Sequence, residues 1–323
     1  SFITADLLYC EKRKEKRDME LEERIKEYLE YCKYRKELDE KTLKAYRIDL
    51  RQFAMFVGDE YLKKERIDKY ITELHKKFKQ KTIKRKIASI RAFYACLVER
   101  GLLLIENPFR KIKVKFREEK TLPRIISRSD IETLLNYMYS IKKNCNKKKQ
   151  IIVKHIAVVE FLFATGVRVC EVSRLKIEGI DLKSGTVRIE GKGKKERYIQ
   201  IGNSETLKIL NEYYKLYSKE IEKSGYFFVN NRGRRLSEQS IRILINKYAK
   251  NAGIGLHITP HMFRHSLATY LIEAGADISY VQRILGHSSI KTTQIYIYVA
   301  AEAQAEILKL LHPRNKMKIT HAA

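Results

Sequence analysis

Four short segments in the second half of the chain carry residue types that could bind and cleave a phosphodiester. In Ala164-Thr165-Gly166-Val167-Arg168, an arginine follows a glycine turn, and Glu171 lies one helical turn further on. A guanidinium offers a planar fork to a phosphate, and a nearby carboxylate can hold that fork in place. An Arg–Glu pair at this spacing is also an ordinary structural ion pair. In Thr259-Pro260-His261-Met262-Phe263-Arg264-His265, Thr259 suits an N-cap and Pro260 the first helical position. His261 and Arg264 would then share a face near a helix N-terminus, a place that favours anions. A surface helix start could carry the same two residues by chance. Gly286 is suited to end a helix and to put His287 in the turn. Tyr296 follows His287 by nine residues, but as one of 20 tyrosines it cannot be singled out by type.

Elements to position these groups can be read from apolar periodicity. Before residue 108 the pattern is helical throughout. Leu21, Ile25, Tyr28 and Leu29 mark one helix, and Leu43, Tyr46, Leu50 and Phe53 a second. Ile67, Tyr70, Ile71 and Leu74 mark a third, and Ile83, Ile87, Ile90, Tyr94 and Leu97 a fourth. The other side of that fourth helix carries Lys81, Lys84, Arg85, Lys86 and Arg91, with no acid between Lys76 and Ala95 to balance them. A four-helix bundle with one cationic face is expected over residues 19–108. Pro108 and Pro123 bracket a basic linker, 109–122, whose Lys113 and Lys115 alternate with apolar residues. This segment is compatible with a short edge strand, but its charge fits an extended connector along a phosphate backbone better.

Beyond the linker, Ser129-Asp130-Ile131-Glu132 has capping-box spacing, and an apolar helix is expected from Ile151 to Phe163. Residues 186–190 and 197–201 read as a hairpin joined by Gly191-Lys192-Gly193-Lys194-Lys195, and the chain turns helical again from 204. The predicted fold class is mainly α with a small antiparallel β-sheet, in two domains.

Composition agrees with a polyanionic partner. Lys and Arg outnumber Asp and Glu by 67 to 39, a formal net charge of +28. These cations are spread through helices and loops, which favours nucleic acid, although RNA or ribosome binding would fit the charge as well. No apolar run of about 20 residues is present to span a membrane. Cys10, Cys32, Cys96, Cys145 and Cys170 are odd in number and far apart, with no metal-ligand spacing. They imply neither a disulfide framework nor a metal site, and reduced thiols in a cytoplasmic protein are the simplest reading. The chain begins at Ser1 rather than Met, so its natural start is expected to lie further upstream.

In order and spacing, "ATGVRVCEVSRL", "GKGKKER", "HMFRHSLATYL" and "LGHSSIKTTQIY" resemble the catalytic signature of the tyrosine recombinase (phage integrase) family, in an Xer-like form. The likeness covers nearly the whole chain. It implies a core-binding, SAM-like helical domain at 19–108 and a catalytic domain at 123–312, flanked by an N-terminal extension, 1–18, and a tail, 313–323. It also implies an active site of Arg168, Lys192, His261, Arg264, His287 and Tyr296, with Glu171 in support. The family often has Thr and His after the nucleophile, whereas this chain has Ile297 and Tyr298, which makes Tyr298 a rival. Lys194 and Lys195 share the loop of Lys192. Cys170 stands where Ser is frequent and is expected to be a buried packing residue.

Physical chemistry supports what the resemblance implies. A tyrosine phenol has a pKa near 10, so only about 0.1% is ionised at neutral pH. Two arginines at the phosphate would favour the phenolate and stabilise a pentavalent transition state. His261 could accept the phenolic proton or bind a phosphate oxygen, His287 could donate a hydrogen bond, and Lys192 could protonate the leaving 5′-oxygen. A 3′-phosphotyrosyl intermediate retains bond energy, so no cofactor, ATP or metal is expected. Family likeness further implies double-stranded DNA with short inverted-repeat sites and a homotetramer on two duplexes, linked by the apolar helix 301–311. That helix could equally dock on its own domain. Accessory proteins are a possible partner. Residues 1–18 are too few for a separate arm-binding domain. The task would be integration and excision of a mobile element or chromosome-dimer resolution. A non-catalytic DNA-binding regulator would lack the complete residue set, and a type IB topoisomerase would lack the "GHSSIKTTQIY" context and the tail helix.

Overall fold

A computed structural model describes residues 21–103, 107–109, 112, 114, 116, 124–144, 149–191 and 196–286. The chain divides into two compact units, 1–120 and 121–323.

In the first unit, four helices form where the apolar stripes predict them: α1 over 21–34, α2 (Glu40–Val57), α3 (Lys64–Lys77) and α4 (Gln80–Glu99). The Asp39 carboxylate opens α2 by accepting from Thr42 N at 2.9 Å, which satisfies one donor that the helix itself leaves unpaired. Leu21, Ile25 and Tyr28 of α1, Leu43, Leu50 and Phe53 of α2, and the predicted stripes of α3 and α4 are all buried together. Edge-to-face contacts of Phe53 with Tyr70 and Tyr94 tie three of these helices. Phe109 and Ile112 are buried in the same core, and Val114 and Phe116 pack against it. The apolar positions of the linker segment therefore dock on the bundle. Lys113 and Lys115 lie outside the described residues.

The cationic face of α4 needs one correction. Lys81, Lys84 and Arg91 are exposed, but Lys86 is 2% exposed and lies inside. Its ammonium meets Asp49 Oδ1 at 3.0 Å and also bonds Gln52, while Arg85 and Ser89 bond the other Asp49 oxygen. The balancing acid comes from α2, which a window along α4 alone does not contain.

The second unit is built around α6 (Lys149–Thr165), apolar on almost every side and packed against α5 (Arg128–Asn144), α8 (Ser204–Ser224) and α10 (Pro260–Glu273). A helix without a polar face must be covered all round. The N-cap of α5 is Ser127, whose Oγ accepts from Asp130 N at 3.0 Å, two residues before the expected Ser129. After α6 come α7 (Val169–Arg174) and three antiparallel strands in the order β1 (Ile180–Asp181), β2 (Thr186–Glu190) and β3 (Glu196–Gln200). The first strand of the hairpin has its predicted bounds, and the second starts and ends one residue earlier than predicted. The two-residue β1 is too short to leave a periodic signal. Val187 pairs with Ile199 and Ile189 with Arg197, so Arg197 shares the inner face of the sheet with apolar residues. Helices α9 (Glu238–Asn251) and α11 (Ile278–Leu285) are the remaining helices among the described residues of the unit, and Gly286 ends α11 in the left-handed conformation, φ 63°.

Candidate active site

The site begins where α6 stops. Gly166 has φ +59°, a backbone that favours glycine, and a Cβ there would press on two side-chain ends, Leu267 Cδ2 at 2.9 Å and Leu285 Cδ2 at 3.0 Å. The turn leads to Arg168, the N-cap of α7, held in extended backbone. Glu171, one turn inside α7, accepts from the Arg168 backbone N at 2.7 Å and from Arg168 Nη1 at 3.0 Å. This is the i, i+3 ion pair, and here it also satisfies a helix-start amide.

A third residue closes the group from the sheet. Arg197 of β3 grips the same carboxylate with both fork nitrogens, Nη1 to Oε1 at 3.0 Å and Nη2 to Oε2 at 2.7 Å. Glu171 is only 8% exposed. Burial alone would raise its pKa, but the hydrogen bonds and charges of Arg197 and then Arg168 outweigh it and hold the carboxyl below the usual glutamate value.

The arginines converge on the last turn of α11. Arg197 Nε donates to Ile284 O at 3.0 Å, Arg264 Nη2 to Leu285 O at 2.6 Å, and Arg168 Nη2 to Gly286 O at 3.3 Å. Arg264 also donates from Nη1 to Gly166 O at 2.9 Å. The final carbonyls of a helix have no partner within it and carry the negative end of its dipole. Three consecutive carbonyls from α11 and its cap are thus bonded by guanidinium groups from α10, the α6–α7 turn and the sheet. Arg264 is 3% exposed, whereas the Arg168 side chain is 35% exposed. A guanidinium has five N–H donors, so Arg168 retains donors for an incoming anion.

Pro260 occupies the first position of α10, and Thr259 is its N-cap by backbone conformation, without a side-chain cap hydrogen bond. His261 is exposed one residue on. His265, in the same segment, is half-buried, and burial, then the charges of His261 and Arg264, lower its pKa below the usual histidine value. Cys170, the second residue of the short α7, is half-buried rather than buried.

The structure thus brings Arg168, Glu171 and Arg264 together and puts His261 on the helix that carries Arg264. Lys192, His287, Tyr296 and the rival Tyr298 lie outside the described residues, as do Lys194 and Lys195. Arg197 was absent from the predicted set. Its signal was the alternation Arg197, Ile199, Ile201, which assigns a cation to an inward-facing strand position. Among the described residues there is no group of three or more His, Cys, Asp and Glu side chains able to hold a metal. No described helix is long and apolar enough to cross a membrane.

Comparison with known proteins agrees with this arrangement. Residues 125–303 match the model of the phage integrase family, and residues 25–101 that of the phage integrase N-terminal SAM-like domain. A tyrosine recombinase of Agathobacter rectalis is 47% identical over 300 residues, covering 91% of this chain and 98% of that protein. The tyrosine recombinase XerC of Thermodesulfovibrio yellowstonii is 33% identical over 300 residues, covering 90% and 97%. Among solved structures, the XerH site-specific recombinase bound to palindromic difH substrate, a post-cleavage complex, shares the fold. It gives a TM-score of 0.71 at 19% identity, over 87% of this chain and 83% of that one.

Proposed function

Given that this chain belongs to the phage integrase family and is a tyrosine recombinase that breaks and rejoins DNA in site-specific recombination, we propose that Tyr296 is its nucleophile and that Arg168, Arg264, His261, His287 and Lys192 complete its active site. The observation that carries this reading is the convergence of Arg168, Arg197 and Arg264 on the last turn of α11. His287 is the residue that follows that turn, and Tyr296 comes nine residues later. The scissile phosphate binds where Arg168 keeps exposure and donors, at the mouth of a site whose floor is the buried Arg264.

In the cleavage step the Tyr296 phenolic oxygen attacks the phosphorus and the bond to the 5′-oxygen breaks. The phenolic proton passes to His261, and the departing 5′-oxygen takes a proton from Lys192. Arg168 and Arg264 supply positive charge that favours the phenolate and the charge that builds on the phosphoryl oxygens. His287 donates a further hydrogen bond. The phosphodiester is conserved as a 3′-phosphotyrosyl link, so the 5′-hydroxyl of another strand reverses the reaction with no energy source.

DNA is the partner of this enzyme. The finer reading is a pair of short inverted repeats, which the palindromic substrate of the XerH neighbour supports, bound by a homotetramer that holds two duplexes through residues 301–311. The core-binding domain spans 19–108 and offers Lys81, Lys84, Arg85 and Arg91 to the backbone. The linker 109–122 adds Lys113 and Lys115, and the catalytic domain spans 123–312. The work is done in the cytoplasm, on a mobile element or on chromosome dimers, with accessory proteins where directionality requires them.

A nicked duplex that traps the covalent product tests the assignment. Tyr296→Phe is expected to bind this duplex as the parent does and to form no adduct, while Tyr298→Phe forms it. Adducts that persist in Tyr296→Phe and vanish in Tyr298→Phe would overturn the reading.

A further inference from the structure

We infer that Arg197 is a positioning residue for strand cleavage, an inference that rests on the proposed phosphate site at Arg168. Arg197 holds two pieces of that site, the Glu171 carboxylate and the end of α11. Its two fork nitrogens hold Glu171 at 3.0 and 2.7 Å, and Glu171 in turn holds the guanidinium and backbone amide of Arg168 at 3.0 and 2.7 Å. Its remaining nitrogen, Nε, holds Ile284 O at 3.0 Å and thereby fixes the turn whose Gly286 carbonyl meets Arg168. Arg197 also stands in the second strand of the hairpin, one pair away from the end that joins the loop containing Lys192. Its side chain is 13% exposed against 35% for Arg168, so it faces inward while Arg168 remains open to a ligand.

Chemistry on the page says why arginine stands here. Lysine could neutralise Glu171 but could not give two parallel bonds to a carboxylate and a third, from the side of the same plane, to a carbonyl. The neighbouring backbone is built to this plane as well. A Cβ at Gly286 would lie 2.9, 3.0 and 3.1 Å from Arg197 Cδ, Nε and Cζ. That position is therefore closed to side chains by the pinned arginine in addition to its positive φ. Without Arg197, Glu171 keeps the burial that raises its pKa and loses the partner that most opposes it. A protonated Glu171 no longer orients the Arg168 fork.

Single-turnover cleavage of the nicked duplex, followed against pH for the full chain, tests the inference. Arg197→Met is expected to lower the cleavage rate on the order of 10²-fold, the scale of a misplacement of about 1 Å at a reacting group. DNA affinity should change by less than about threefold, the ground-state contact being kept. The acid limb of its rate profile should move to higher pH, and adding Glu171→Gln should abolish that limb at little further cost. Arg197→Lys should recover part of the rate, and it carries the same pH test if Arg197→Met does not fold. A profile whose acid limb stays where it is in the parent, with a rate that falls only in proportion to the folded fraction, would reduce Arg197 to a structural ion pair. Arg168→Ala is run alongside. If it cleaves like the parent, the phosphate site itself is wrong and the inference falls with it; if it is inactive while Arg197→Met is unimpaired, only the inference falls.

Discussion

Both units bury a carboxylate between two cations, Asp49 in the first and Glu171 in the second, and the two clusters differ in what the cations do next. In the first unit, Asp49 is fully buried and takes Lys86, Arg85 and Ser89, all from the facing α4. Every bond joins the same two helices, so the cluster is a clasp. In the second unit, Glu171 joins Arg168 of the α6–α7 turn to Arg197 of β3, and both arginines continue to carbonyls at the end of α11. There the bonds cross three elements, and Arg168 still faces solvent. A buried ion pair is weak evidence for stability and no evidence for function by itself. What separates a clasp from a site is where the remaining donors point.

The largest effect should come from breaking the clasp. Asp49→Leu leaves Lys86 buried without its counter-charge and should destabilise the first unit by about 3–5 kcal/mol in urea unfolding. Glu171→Gln should cost less stability, because Arg168 and Arg197 keep their carbonyl partners, yet it should slow cleavage markedly. Equal losses of stability would erase the distinction.

Acid should then act on the second unit through a different residue. His155 of α6 bonds the Tyr248 hydroxyl at 2.9 Å, and burial, aided by Lys154 and Lys247, lowers its pKa from 6.5 to about 4. The folded state therefore holds the neutral ring while the unfolded chain binds a proton near pH 6.5. This stability is complete above that pH and is lost as pH falls through it, by about 2 kcal/mol between pH 7 and 5. Glu171, with its lowered pKa, loses its contribution only below the ordinary glutamate range. Protection factors of the α6 amides, taken against intrinsic exchange at the same pH, should fall accordingly at pH 5, and less so in His155→Gln; an equal response in both proteins would remove His155 as the cause.

Two glycines give a smaller and sharper contrast. Gly101 and Gly286 have nearly the same backbone, φ +67° and +63°, but a Cβ at Gly101 meets nothing within 4 Å. Gly101→Ala should cost only the left-handed backbone, about 1–2 kcal/mol, with cleavage intact. Gly286→Ala should add the displacement of Arg197 and lose cleavage as well. Retained cleavage in Gly286→Ala would mean that the turn adapts.

The smallest effect concerns two lysines of α4. Lys81→Ala should reduce the slope of log affinity against log salt by about one. Lys86→Ala should leave that slope alone and lower stability instead. A salt slope that responds to Lys86 would place that lysine on DNA after all.

The elements were legible where a single helix carries its own signal: the four bundle stripes, the apolar α6 and the glycine that ends α11. Of the candidate site, Arg168, His261 and Arg264 could be picked out because they sit beside turn and cap residues with local signatures. What escaped were side-chain interactions between elements distant in the sequence. Lys86 looked like surface because its acid lies on α2, and Arg197 looked like one more cation of a basic hairpin because its carboxylate lies on α7. Ser127 caps α5 in place of Ser129 for a related reason: two serines near one helix start satisfy the same local rule.

The most direct test of the account is to trap the covalent complex on a nicked duplex, digest it, and identify by mass spectrometry the peptide that carries the nucleotide. The account predicts a single modified residue, Tyr296, joined to a 3′-phosphate. Nucleotide on Tyr298, or on any other side chain, would contradict it.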